Sequence, residues 1–135
     1  MPVPVIPDIP TASAAERLPS AATAQYVSSG NKAAAVASAA IPAAAGLTSY
    51  LSGFEITGAG ATAASVVTAT VTDGTWTLSY SVAVPAGANV GITPLVVRFP
   101  TPLKASAANT AITVSCPSLG AGNTNACVNA TGYQL

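Results

Sequence analysis

From about residue 33 onward, apolar and polar positions alternate in short runs separated by glycine, proline and asparagine, the spacing of an all-β sandwich or barrel. The clearest run is residues 76–84, where Trp76, Leu78, Tyr80, Val82 and Val84 alternate with Thr77, Ser79, Ser81 and Ala83. A period of two puts the first set on a buried face and the second toward solvent. Residues 65–72 are dense in β-branched side chains, which fit a pleated surface. Asp73 and Gly74 join the two runs and suit a two-residue type I′ turn, so residues 65–84 are predicted as an antiparallel hairpin.

Other runs read the same way. Residues 47–57 are predicted to place Tyr50, Phe54 and Ile56 on one face and Glu55 on the other. Leu95, Val97 and Phe99 form a further alternating set, closed by Pro100 and Pro102, which restrict that run to an edge or a turn. Ile112, Val114 and Cys116 alternate next, and a last strand spans about residues 125–135. Residues 33–41 are alanine-rich and intrinsically helix-forming, but in this context they are assigned to a strand. Seven or eight strands suffice for two packed antiparallel sheets.

Residues 1–31 break the pattern. Pro2, Pro4, Pro7 and Pro10 alternate with Val3, Val5, Ile6 and Ile9, and proline favours extended geometry while removing backbone donors. A short helix over residues 12–18 is predicted from Ser13 and Glu16 in a capping-box spacing, ended by Pro19. The division expected is an extended arm, residues 1–31, and a β-sandwich domain, residues 32–135. The four branched apolar side chains Val3, Val5, Ile6 and Ile9 point to an arm that docks on another subunit.

Composition narrows the function classes. The 135 residues hold four acids, four bases and no histidine. A Ser–His–Asp or Cys–His centre is excluded on that count, and two cysteines without histidine make no four-ligand zinc site. Glu55 and Asp73 are explained by an outward face and a turn, so no catalytic carboxylate pair, metal or cofactor is expected. Four scattered bases build no phosphate-binding face, which argues against nucleic acid. No window of about 20 apolar residues spans a membrane, and the N-terminus has no signal-peptide pattern. Gly58, Gly60, Gly120 and Gly122 mimic fragments of phosphate loops but read as turn glycines. A neutral, weakly charged surface tends toward self-association.

Cys116 and Cys127 flank a run with the composition of a hairpin loop. Two readings stand: a disulfide across that hairpin, or two reduced, half-buried thiols of a protein made in a reducing cytosol. Trp76, at the head of its strand, reads as core packing rather than a sugar platform.

The run from Gly53 through Thr68, the Val84 to Gly87 segment, Phe99 to Leu103, residues 105–114 and the ending from Gly120 through Tyr133 resemble small structural proteins of tailed-bacteriophage virion clusters. That resemblance implies a capsid decoration (cement) protein. Such a protein would be a trimeric β-sandwich or jelly-roll module on the virion surface, made in the host cytoplasm, with the arm contacting the major capsid protein. A tail-associated or glycan-binding host-recognition module is the alternative, marked by an exposed aromatic cluster near Trp76 or Tyr133.

Overall fold

The computed structural model describes residues 18–135. Those residues form eight strands: β1 Thr23–Ser28, β2 Ala37–Ile41, β3 Ser49–Ala59, β4 Ser65–Thr72, β5 Thr77–Val84, β6 Leu95–Lys104, β7 Ile112–Cys116 and β8 Asn125–Gln134. They build two antiparallel four-stranded sheets, in the order β1-β8-β3-β6 and β2-β7-β4-β5. Among consecutive strands only β4 and β5 pair as a hairpin; every other connection crosses from one sheet to the other. The all-β sandwich expected from the alternating runs is therefore the observed architecture.

The core lies between the sheets, and side-chain size sets its shape. On one flank the inward residues are small: Ala37 and Ala39 on β2, Ala126 and Ala130 on β8, with Gly132 beside them. The backbones approach closely there, and β2 packs against both β1 and β8. A Cβ on Gly132 would run into the Tyr50 carbonyl oxygen, so this register with β3 needs glycine. Toward the other flank the inward residues are aromatic. Phe54 on β3 meets Tyr80 on β5 edge-on, with centroids 5.1 Å apart, and Phe99 on β6 at 6.2 Å. Large rings hold the sheets apart, so the sandwich widens toward β5 and β6.

Several local expectations change. Residues 20–31, expected within the arm, contribute β1, which pairs with β8 along its whole length. The strand expected over residues 33–41 occupies only its second half, β2. The β4–β5 connection is longer than a two-residue turn, because the last pair is Thr72 with Thr77. Asp73 supports that loop: its Oδ1 accepts hydrogen bonds from the backbone N–H groups of Thr75 and Trp76, at 2.8 and 3.0 Å. Its Oδ2 accepts one from Ser106 N–H at 2.6 Å, tying the loop to the segment after β6. Trp76 consequently sits in the loop, half-buried against the core as its phase implied.

The disulfide reading does not survive. Cys116 and Cys127 are both free thiols. Their strands, β7 and β8, lie in opposite sheets and do not form a hairpin. Cys116 points into the core, whereas Cys127 points off the outer face of its sheet, where its Sγ lies 3.5 Å from Ser28 Oγ. The helix expected around Ser13 and Glu16, like Val3, Val5, Ile6 and Ile9 of the arm, lies outside the described residues.

Candidate interaction faces

Residues paired across neighbouring antiparallel strands share a face, so the registers define the two outer surfaces of the sandwich. On the β1-β8-β3-β6 sheet, Tyr26 lies opposite Thr131, Tyr133 opposite Tyr50, and Tyr50 opposite Lys104. Glu55 lies between Asn129 and Val96, and Gly53 between Thr131 and Arg98. Three of the four tyrosines in the chain thus share one surface. Of the five charged side chains among the described residues, Lys32, Glu55, Asp73, Arg98 and Lys104, three also lie on it.

The sequence alternation misplaced Tyr50. A β-bulge between Leu51 and Gly53 shifts the phase of β3 by one residue, so Ser49 and Leu51 point inward before it and Phe54 and Ile56 after it. Tyr50 is turned out, where its ring stacks on Tyr133 with centroids 4.7 Å apart and planes 14° from parallel. That stack buries most of Tyr133, and burial followed by the neighbouring Tyr50 hydroxyl pushes its phenol up from the ordinary value. Tyr26 stands free beside the stack, 79% exposed. Glycine at 53 leaves a notch over which Arg98 lies: a Cβ there would come within 2.9 Å of the Arg98 Cδ and Nη1. Asn129 Nδ2 donates to Glu55 Oε1 at 3.2 Å, holding the carboxylate beside the tyrosines. The surface therefore combines fixed aromatic rings with one carboxylate and two cations.

The opposite outer surface, on the β2-β7-β4-β5 sheet, is chemically blank. It presents Ser38, Ala40, Thr113, Ser115, Thr68, Thr70, Thr72, Thr77, Ser79, Ser81, Val66 and Ala83, with no charge and no ring. At the wide flank between the sheets, Trp76, Tyr80, Leu95, Val97 and Phe99 are only partly buried, and Leu78 is 39% exposed. A hollow of about 430 Å³ at one end of β3 and β8 is lined by Asn31, Thr57, Gly58, Ala59, Asn125, Ala126 and Cys127. It offers mainly backbone and small side chains. Among the described residues no three acids, cysteines or histidines gather in one place.

Of the four expected turn glycines, Gly58 instead lies within β3, paired with Ala126. Gly60, Gly120 and Gly122 adopt positive φ where the β7–β8 loop folds back on the end of β3. Asn123 in that loop is buried, its Nδ2 donating to the carbonyls of Ala59 and Asn125 at 2.9 and 2.7 Å. No family model, curated protein or solved structure matches this chain.

Proposed function

We propose that this protein is a phage virion structural protein that decorates and stabilises the outer surface of the capsid. The observation that carries the reading is the gathering of Tyr26, Tyr50, Tyr133 and Arg98 on one sheet face of a chain otherwise poor in rings and charge. Tyrosine and arginine are the side chains that dominate protein–protein binding energy, because each buries a large rigid surface and still satisfies a polar end. We read that face as the one turned toward the major capsid protein, and the blank Ser/Thr/Ala face as the one turned outward.

Strand order supports the same reading. We read the pairings β1 with β8, β2 with β7, β3 with β6 and β4 with β5 as one long hairpin rolled into two sheets, in the manner of the jelly roll that recurs in viral capsid and lectin domains. Area sets the mode of binding. Four strands at ~4.8 Å spacing and a length of ~33 Å give roughly 600 Å², less than the ~800 Å² per partner of a stable standard interface. One such face binds weakly, whereas linked copies on a lattice gain affinity through effective concentration. The homotrimer that the sequence resemblance implies would supply such linkage.

The test is co-sedimentation with undecorated tailed-phage capsids assembled from a major capsid protein alone. Saturable binding is expected, weakened about ten-fold or more by Tyr26→Ala or Arg98→Ala and unchanged by Ser79→Ala on the opposite face. Absence of binding, or equal binding by all variants, overturns the reading. A second reading, glycan recognition in host attachment, is favoured by the Tyr50–Tyr133 stack with Asn129 and Thr131 alongside. A glycan-array signal abolished by Tyr26→Ala, in a protein that leaves capsids bare, would move the assignment there.

A further inference from the structure

The four edge strands are not alike. β1 and β2 face each other across the pinched flank. β6 carries Pro100 and Pro102, and its pairing with β3 skips from Arg98 to Leu103; prolines and broken register blunt an edge against further pairing. β5 has neither device. Its eight residues pair with β4 in unbroken register from Ser65–Val84 to Thr72–Thr77, with no proline and no charge. Its other edge has no partner strand among the described residues. Beneath that edge lies the wide flank, with Leu78, Tyr80 and Phe99 incompletely covered. An uncharged, regular, open edge beside an apolar mouth is a template for one more strand.

The chain supplies a segment suited to that place. In an extended strand, alternate residues direct their backbone groups to the same edge. Across residues 2–5, Val3 and Val5 then offer donors to one side, while Pro2 and Pro4 offer none to the other. Such a segment can pair once and stops further growth; Pro7, in the phase of Val3 and Val5, has no donor and ends the pairing, so residues 2–6 cover about half of β5. Seventeen residues precede Leu18 and reach about 56 Å when extended. They lead into β1, at the flank opposite β5. An arm leaving one flank and an acceptor on the other is a head-to-tail arrangement, which closes into a ring when each copy gives one arm and receives one.

We propose that residues 2–6 of a second copy of this chain add to the free edge of β5, with Val3 and Val5 covering the Leu78–Tyr80–Phe99 mouth. This assigns the arm to the neighbouring subunit in place of the capsid contact suggested by the sequence resemblance. It is independent of the capsid reading, since its test contains no capsid.

The experiment is hydrogen–deuterium exchange of the full chain, paired with sedimentation velocity on the same samples. The wild type is expected to be an oligomer whose residues 77–84 exchange about ten-fold or more slowly than in the Val3→Asp/Val5→Asp variant. That variant is expected to sediment as a monomer with an unchanged far-ultraviolet circular dichroism spectrum, and Val3→Ile/Val5→Ile is expected to behave as wild type. A monomeric wild type, or β5 exchange equal in wild type and the Asp variant, overturns the proposal. Arm-dependent protection of β5 that persists in a monomer also overturns it, because the arm then folds onto its own chain.

Discussion

Truncating Phe54 to alanine tests the claim that aromatic side chains prop open one side of the sandwich. Phe54 is 1% exposed and meets Tyr80 at 5.1 Å and Phe99 at 6.2 Å. Phe→Ala substitutions in cores cost about 3–5 kcal/mol through lost transfer energy and the cavity left behind. Here the lower end applies, about 3 kcal/mol, because Tyr80 and Phe99 sit beside an open flank and can settle into the void. Of that, roughly 0.5–1.5 kcal/mol belongs to the edge-on ring pair. Urea unfolding followed by Trp76, the one tryptophan, reads the loss directly. With a slope of about 1–3 kcal/mol/M the midpoint falls by roughly 1–3 M. A double-mutant cycle of Phe54→Leu with Tyr80→Leu isolates the ring pair, with an expected coupling of about 0.5–1.5 kcal/mol. A Phe54→Ala loss below about 1 kcal/mol at unchanged slope would refute the propping role.

Gly132→Ala drives a Cβ into the Tyr50 carbonyl, where backbone must yield; a stability loss of about 1–3 kcal/mol by urea unfolding is expected, and a neutral result means that β3 and β8 are not in this register. Desolvation, the largest single contribution, raises the Asp73 carboxyl, but the hydrogen bonds from Ser106, Trp76 and Thr75 together outweigh it and hold the group well below the ordinary carboxylate range. The folded value lies below the unfolded value of about 3.9, so the stabilisation is complete above that pH and fades as pH falls toward the folded value. Urea titrations from about pH 6 down to pH 2 should show a steeper acid loss in wild type than in Asp73→Asn; identical slopes would mean that the loop contacts are absent. Burial pushes the Cys116 thiol up, while Cys127 is partly exposed, so a thiol reagent should label Cys127 in native protein and Cys116 only after unfolding. A native mass lower by two hydrogens would restore the disulfide.

The sequence made the sandwich legible wherever one face of a strand is buried and the other wet. The runs that became β5 and β7 alternate cleanly and β4 is dense in β-branched residues, and their inward residues Val71, Val82 and Val114 are in the core. Three things lay outside that signal. The bulge in β3 is marked only by Gly53, a glycine inside a strand pattern, and without reading that mark the alternation puts Tyr50 on the wrong face and hides the Tyr50–Tyr133 stack. β1 is a polar edge strand of six residues whose register comes from β8, about a hundred residues away; nothing local distinguishes it from an arm. The composition between Cys116 and Cys127 suits a hairpin equally well as a crossover, and only the strand order decides that the two thiols belong to opposite sheets. Tyr26 carried the one early signal of the interaction face, a large ring within an otherwise small, polar stretch.

Electron cryomicroscopy of capsids incubated with the full chain tests the central claim most directly, that this molecule works by gripping a repeating surface through its tyrosine-bearing sheet. The account predicts discrete density at lattice positions outside the shell, with Tyr26, Tyr50 and Arg98 facing the major capsid protein. Bare shells, or density docked through the Ser/Thr/Ala sheet instead, would contradict it.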